Sequence, residues 1–174
     1  MRIRSMVLCA LFAALFCICA WISIPVGDIT ITLQTFALFL ALELLGGKGS
    51  CTVCLIYLLL GAADLPVFSG FRGGLGALLG ATGGYITGFL AAALVYWAMS
   101  AVRSTFPFRI AAQLLGLLTC YAFGTLWFWG MYLPSGNAVG LGVVLLKCVI
   151  PYLLPDGIKL VLAFLLVKRL RRHL

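Results

Sequence analysis

Apolar residues along this chain fall into long, nearly unbroken runs, and the polar residues gather in the gaps between them. Residues 5–24 follow a basic start (MRIR) and predict a first membrane-spanning helix. Their apolar core is long for a signal peptide, and no A-x-A site precedes Pro25. PVGDITIT, residues 25–32, breaks the run, and its alternating Ile and Thr read as a short extended piece. Residues 33–45 and 51–63 predict two short helices on either side of a tight turn, GGKGS, at 46–50. Helix four is expected over about 82–102 and helix five over about 110–130, joined by a basic connection that holds Pro107. After the turn-rich MYLPSGN at 131–137 comes an apolar segment, 138–150. At ~1.5 Å per residue it is too short to cross ~30 Å of hydrocarbon, so it reads as a short helix in the outer half. Pro151 and Pro155 then interrupt the chain, and the last span is expected to begin at Asp156 and run into a basic tail.

One stretch departs from this alternation. Residues 64–89, DLPVFSGFRGGLGALLGATGGYITGF, lie between apolar runs yet are dense in glycine. Glycine lets backbone approach backbone or ligand without a Cβ between them. Non-helical backbone at membrane depth persists only where protein buries it or it lines a cavity. The part before Gly76 shows no helical pattern and reads as a folded-in wall of a small-molecule pocket. For Gly80, Gly84 and Gly88, spaced by four, close helix packing is an equal reading.

Composition closes off other classes. The chain is 64% hydrophobic and only 9% charged, with a mean hydropathy of +1.21. That describes an integral membrane protein in one domain, 1–174. The formal charge of +8 does not point to nucleic acid, because the basic residues cluster at membrane edges. With six spans and the N-terminus inside, Arg2, Arg4, Lys48, Arg103, Arg109, Lys168, Arg169, Arg171 and Arg172 fall on the cytoplasmic side. Arg72 is then the basic residue of the outer loops. The fold predicted is all-α: a six-transmembrane-helix bundle whose glycine-rich outer segment lines a pocket. Asp28, Asp64, Arg72 and the Pro155–Asp156 corner share its outer side. Six of the seven cysteines lie in apolar runs as small hydrophobes, and the C-x-x-C of Cys51 and Cys54 has no partner pair, so no metal is expected.

Candidate chemistry is sparse. Asp156 and Lys159 stand three apart and share a helix face, with Asp156 expected at the helix N-terminus. Ionisable residues at membrane depth usually serve function, although a structural ion pair is the other reading. Gln34 and Thr35 offer an amide and a hydroxyl at the start of helix two, as ligand contacts or as a cap. Arg72 can bind a carboxylate through parallel hydrogen bonds. Phe68, Phe71, Phe36 and Tyr85 can supply apolar walls, although each taken singly reads first as packing. Ala10 and Ala14 form a small-residue face on helix one, for docking or for packing within the bundle. The sequence contains no defensible catalytic constellation and no phosphate-binding loop, so it is not read as an enzyme.

Four segments give the chain a resemblance: ITLQTFALFLA at 31–41, the 57–89 run with LPVF…GG…G-x-TGGY…GF, the basic connection before helix five, and LPDGIKLVLA at 154–163. Together they resemble the BioY family, the biotin-specific S components of energy-coupling factor transporters. The resemblance covers nearly the whole chain. It implies a six-helix plasma-membrane protein that holds biotin, its ligand and not a cofactor, near the outer surface; the basic asymmetry counted above puts both termini on the cytoplasmic side. Import would use a shared module of two ATPases and one coupling membrane subunit, with the S component toppling in the bilayer. Asp156 and Lys159 match the family's acidic/basic pair at the ureido end. The positions from Phe68 to Gly74, and Tyr85, match its pocket-lining segment, although Gly70 and Phe71 here offer no side-chain amide. Ala10 and Ala14 are similar to its docking patch for the coupling subunit. An S component for another vitamin, or biotin uptake without ATPases, are the alternative readings.

Overall fold

A computed structural model describes residues 3–26, 29–103, 105–132 and 140–170. Arg2, Asp28, Arg171, Arg172 and most of the MYLPSGN turn lie outside the described residues. The elements in chain order are α1 (Ile3–Trp21), β1 (Ser23–Val26), β2 (Ile29–Thr32), α2 (Gln34–Ala62), α3 (Gly74–Leu78), α4 (Gly83–Val102), α5 (Phe106–Tyr132), α6 (Leu141–Cys148) and α7 (Ile150–Leu170). By length and apolar composition α1, α2, α4, α5 and the stretch ending in α7 are each able to cross a membrane.

The long α2 is two helices. At Gly46 the backbone takes φ 70° and ψ 178°, a conformation open in practice to glycine alone. The 34–45 arm and the 47–62 arm fold back on each other there. The amide of Gln34 donates to the hydroxyl of Tyr57 at 2.6 Å, whereas a straight helix would hold them roughly 35 Å apart at its rise per residue. The expected turn of five residues is therefore one pivot, and helix begins again at residue 47. Counting both arms gives six passes: α1, two from α2, α4, α5 and α7. Lys48 then sits exposed at a bundle end instead of in mid-membrane.

The 34–45 arm is the centre of the molecule. Its residues 37–43 are all buried, as expected for a helix apolar on every side. Ala37, Leu38, Ala41 and Leu42 pack with α1, α4 and the second arm around Phe16 and Phe89. Phe39 and Leu40 face the other way, into a second core with Tyr121, Val144, Tyr152 and Ala163 of α5, α6 and α7. Glycines bring α4 and α5 into close contact. A Cβ on Gly84 would run into Trp127, one on Gly88 into Cys120, and one on Gly124 into the Tyr85 ring. At Gly84 and Gly88 the glycine spacing thus serves helix packing.

Two expectations about proline fail. Helix five begins at Phe106, not 110, because Pro107 sits in the first turn where its missing N–H has no partner to lose. The last span begins at Ile150, not Asp156: Pro151 occupies the first turn and Pro155 lies inside the helix. Asp156 is therefore in the second turn and does not cap a helix. The 25–32 piece is a two-stranded antiparallel ribbon, with Ser23 opposite Thr32 and Pro25 opposite Thr30. The 138–150 segment becomes the short α6, broken from α7 at Val149 (φ −123°, ψ −54°).

Cross-links fix which ends lie together. The Cys9 thiol reaches the Gly49 carbonyl (3.9 Å), and Phe106 of α5 meets Phe164 late in α7 (5.6 Å between centroids). At the other end, the Trp21 indole donates to the Pro66 carbonyl at 2.8 Å. The start of α1, the Gly46 pivot, the α4–α5 connection and the end of α7 thus form one face, and the ribbon and the 63–82 segment form the opposite one. Reporter fusions at the two termini are expected to report the same side of the membrane, and a tag inserted at Ser69 the opposite side. Termini on different sides would break the six-pass fold.

Candidate functional site

A cavity opens where the two cores meet, at the face formed by the ribbon and the 63–82 segment. Six elements contribute walls: β2, α2, α4, α5, α7 and the 63–82 segment, and Cys148 closes it from α6. Most of the lining is apolar, so its few polar groups decide what it holds.

The deepest polar feature is the Asp156–Lys159 ion pair on α7. Asp156 is 3% exposed and Lys159 7%, and their charged atoms are 2.7 Å apart. Asp156 Oδ1 accepts from Lys159 Nζ and from the Thr35 hydroxyl (2.8 Å). Its Oδ2 accepts from the Tyr121 hydroxyl at 2.5 Å. Lys159 Nζ also donates to the Thr32 carbonyl (2.7 Å) and to Thr35 Oγ1 (3.1 Å). All three ammonium hydrogens are therefore engaged. A ligand acceptor reaches Lys159 by displacing a partner, and Thr35 at 3.1 Å is the longest of the three. Asp156 Oδ2 has one partner and keeps capacity for a ligand N–H.

Gln34 lines the cavity with its amide half committed. Its Oε1 accepts from the Thr32 hydroxyl (2.9 Å) and its Nε2 donates to Tyr57. Tyr85 lines the α4 wall, its hydroxyl 3.1 Å from Thr125 Oγ1. Phe68 is buried against Tyr57, edge to face at 5.4 Å and 82°. Arg72 lines the mouth and is exposed. Its Nε donates to the Ser69 carbonyl at 3.2 Å, and its terminal N–H groups remain for a ligand. With Asp156 and Lys159 cancelling, Arg72 leaves the lining formed by the described residues with one positive charge.

Gln34, Thr35, Phe68, Arg72, Tyr85, Asp156 and Lys159 thus converge on one cavity. Phe71 and Gly74, expected in its wall, are not in the lining. A tight reversal between Phe68 and Arg72, which form an isolated bridge, puts Gly70 (φ 72°) and Phe71 (φ 56°) in the left-handed region. This turns Phe71 outward, 64% exposed, to stack on Trp21 with centroids 5.1 Å apart. Gly74 (φ 82°) packs against the Asp64 carboxylate and begins α3. Phe36 is half-buried in the second core. Ala10 and Ala14 are exposed on α1 beside Val7 and Leu11, a surface open to a neighbour.

Sequence reasoning missed Tyr121, Tyr152, Thr32 and Tyr57. For Tyr121 a signal exists: Gln113, Tyr121 and Thr125 fall on one face of α5, a polar stripe in an apolar helix. At the opposite face of the bundle Gln113 donates to Glu43 Oε1 (2.9 Å), and Arg109 lies 3.4 Å from its other oxygen. This second buried cluster joins the first arm of α2 to α5.

The fold is that of a solved S component. A 2.1 Å crystal structure described as the S-component for biotin from an ECF-type ABC transporter superposes with a TM-score of 0.83. The match covers 98% of this chain and 92% of that one, at 24% identity. The BioY family model matches residues 1–174. A biotin transporter BioY from Thermotoga maritima is 37% identical over 97% of this chain and 96% of its own length. A probable biotin transporter BioY from Pyrococcus horikoshii is 36% identical over 98% of each. The chain belongs to the BioY family.

The ion pair carries a stability prediction. Removing one member of a buried pair strands the other charge and typically costs about 3–5 kcal/mol. Asp156→Asn or Lys159→Met is expected to lower the ligand-free melting temperature, and the double substitution to restore much of it, as read by thermal melts of purified protein.

Proposed function

We propose that this chain is the biotin-binding subunit of a membrane uptake system, a carrier component and not an enzyme. It takes biotin into the cavity at the outer face and passes it inward with an energy-coupling factor module of two ATPases and a coupling membrane subunit. The observation that carries the reading is the buried, hydrogen-bonded Asp156–Lys159 pair inside a cavity of mostly apolar surface, with the exposed Arg72 guanidinium at its mouth.

Biotin's chemistry fits that arrangement part by part. Its ureido ring has two N–H donors and one carbonyl acceptor. Asp156 Oδ2 and the Tyr121 oxygen supply acceptor capacity, and Lys159, by yielding its Thr35 contact, supplies a donor. Gln34 retains one amide hydrogen for the same end. The thiophane ring and valeryl chain need apolar walls, which Phe68, Phe89, Ile86 and the Tyr85 ring offer. The carboxylate pairs with Arg72. The curated relatives' names support biotin over another vitamin.

Orientation follows from charge. Arg4, Lys48, Arg103, Arg109, Lys168 and Arg169 lie at the face away from the cavity, which the positive-inside rule assigns to the cytoplasm. The exposed Ala10/Ala14 surface is the docking face for the coupling subunit, where small residues let helices approach closely.

Titration calorimetry of the purified protein against a vitamin panel is expected to show saturable binding of biotin and of no other member; no heat with biotin would remove the reading. Arg72→Ala is expected to weaken biotin about tenfold, the low end for a charged hydrogen bond because the side chain is open to water. The same substitution leaves the uncharged biotin amide unaffected. Ala10→Trp and Ala14→Trp are expected to retain biotin binding and to reduce recovery of the complex with the coupling subunit in co-purification. Full complex recovery with both would withdraw the docking face.

A further inference from the structure

We propose that Tyr57 is a positioning residue for the cavity mouth: its hydroxyl and ring hold the loop that carries Arg72, and it does so from outside the lining. Tyr57 is 1% exposed, on the second arm of α2. Its hydroxyl donates to the Val67 carbonyl at 3.1 Å and accepts from Gln34 Nε2 at 2.6 Å. The Phe68 ring stands edge-on against its ring and presses on Gly61, where a Cβ would overlap it. The Phe68 N–H in turn donates to the Arg72 carbonyl at 2.9 Å. The backbone of Arg72 is thus fixed through Phe68, and Phe68 through Tyr57.

The other end of this chain of bonds is the ion pair. Lys159 donates to the Thr32 carbonyl, the Thr32 hydroxyl donates to Gln34 Oε1, and Gln34 donates to Tyr57. Each donor in the run from Gln34 onward has one acceptor assigned, so the polarity is set: Tyr57 has its single hydrogen free for Val67 because Gln34 satisfies its oxygen. A buried phenol with no cavity contact is explained by this use, and its ring packing alone would need only phenylalanine.

Tyr57→Phe keeps the ring and removes the tether. Trypsin provides a readout that needs no ligand: Arg72 is exposed in the loop, and Lys48 is exposed at the opposite face of the bundle. In ligand-free, detergent-solubilised full-length protein, cleavage after Arg72 is expected to be roughly tenfold faster in Tyr57→Phe, the equivalent of one lost hydrogen bond. Cleavage after Lys48 stays unchanged. Equal rates at Arg72 overturn the proposal. So does acceleration at both sites, or failure of the variant to fold, because either assigns the hydroxyl to global stability. A second arm rests on the biotin reading. Tyr57→Phe should reduce the preference for biotin over biotin amide as Arg72→Ala does, with no further loss in the double variant. Equal weakening of both compounds contradicts positioning. If the unsubstituted protein binds neither compound, the biotin reading fails, and the trypsin rates alone decide the role of Tyr57.

Discussion

A carboxylate and an ammonium 2.7 Å apart at membrane depth are the costly feature around which this molecule is assembled. Their mutual attraction offsets desolvation only if the remaining lone pairs and protons are also satisfied. Here four elements meet that demand: the Thr32 carbonyl from β2, Thr35 from α2, Tyr121 from α5, and the pair itself on α7. No two neighbouring elements alone would suffice. The ribbon and three helices must close on one point for the pair to be tolerated, and that closure creates the cavity beside it.

The rest of the architecture serves that closure. The 34–45 arm carries Gln34 and Thr35 to the cavity because Gly46 folds α2 back on itself. It also divides the interior into two cores, so the cavity lies on a seam between them. On one side of the seam, glycine contacts lock α4 to α5. At the opposite face, Glu43, Arg109 and Gln113 tie the same arm to α5. The arm is thereby held at both ends by polar groups and along its length by apolar ones.

Much of this was legible in the sequence, for stated physical reasons. Hydropathy gave the spans, and basic residues at alternate gaps gave their order. Charged residues in apolar helices are rare, so Asp156 and Lys159 stood out, and Gln34 and Thr35 stood out beside an apolar run. What failed, failed locally. Proline was read as a boundary at Pro107 and Pro155, but a first turn has no hydrogen bond for it to remove, and packing carries α7 past the second. Phe71 was assigned to the wall because the 68–74 segment resembles the family's pocket-lining segment; two consecutive left-handed residues turn it out. Glycine density carried two messages at once. Gly84 and Gly88 serve packing, whereas the residues from Phe68 to Arg72 shape the mouth. Tyr57 and Tyr121 gave little signal because a single tyrosine in an apolar helix is ordinarily core, and only its partners on distant segments define its use.

The charge state of the lining has one more consequence. Asp156 and Lys159 cancel, which leaves the empty cavity with the guanidinium of Arg72 at its mouth. A monoanionic cargo makes the filled site electroneutral. Any step that carries this mouth from water toward hydrocarbon is opposed by the solvation energy of an unpaired ion in the empty protein. On the biotin reading proposed above, the cargo's carboxylate would supply that counter-ion and lower the barrier, so the occupied carrier would be the form suited to cross and idle transits of an empty site would be discouraged.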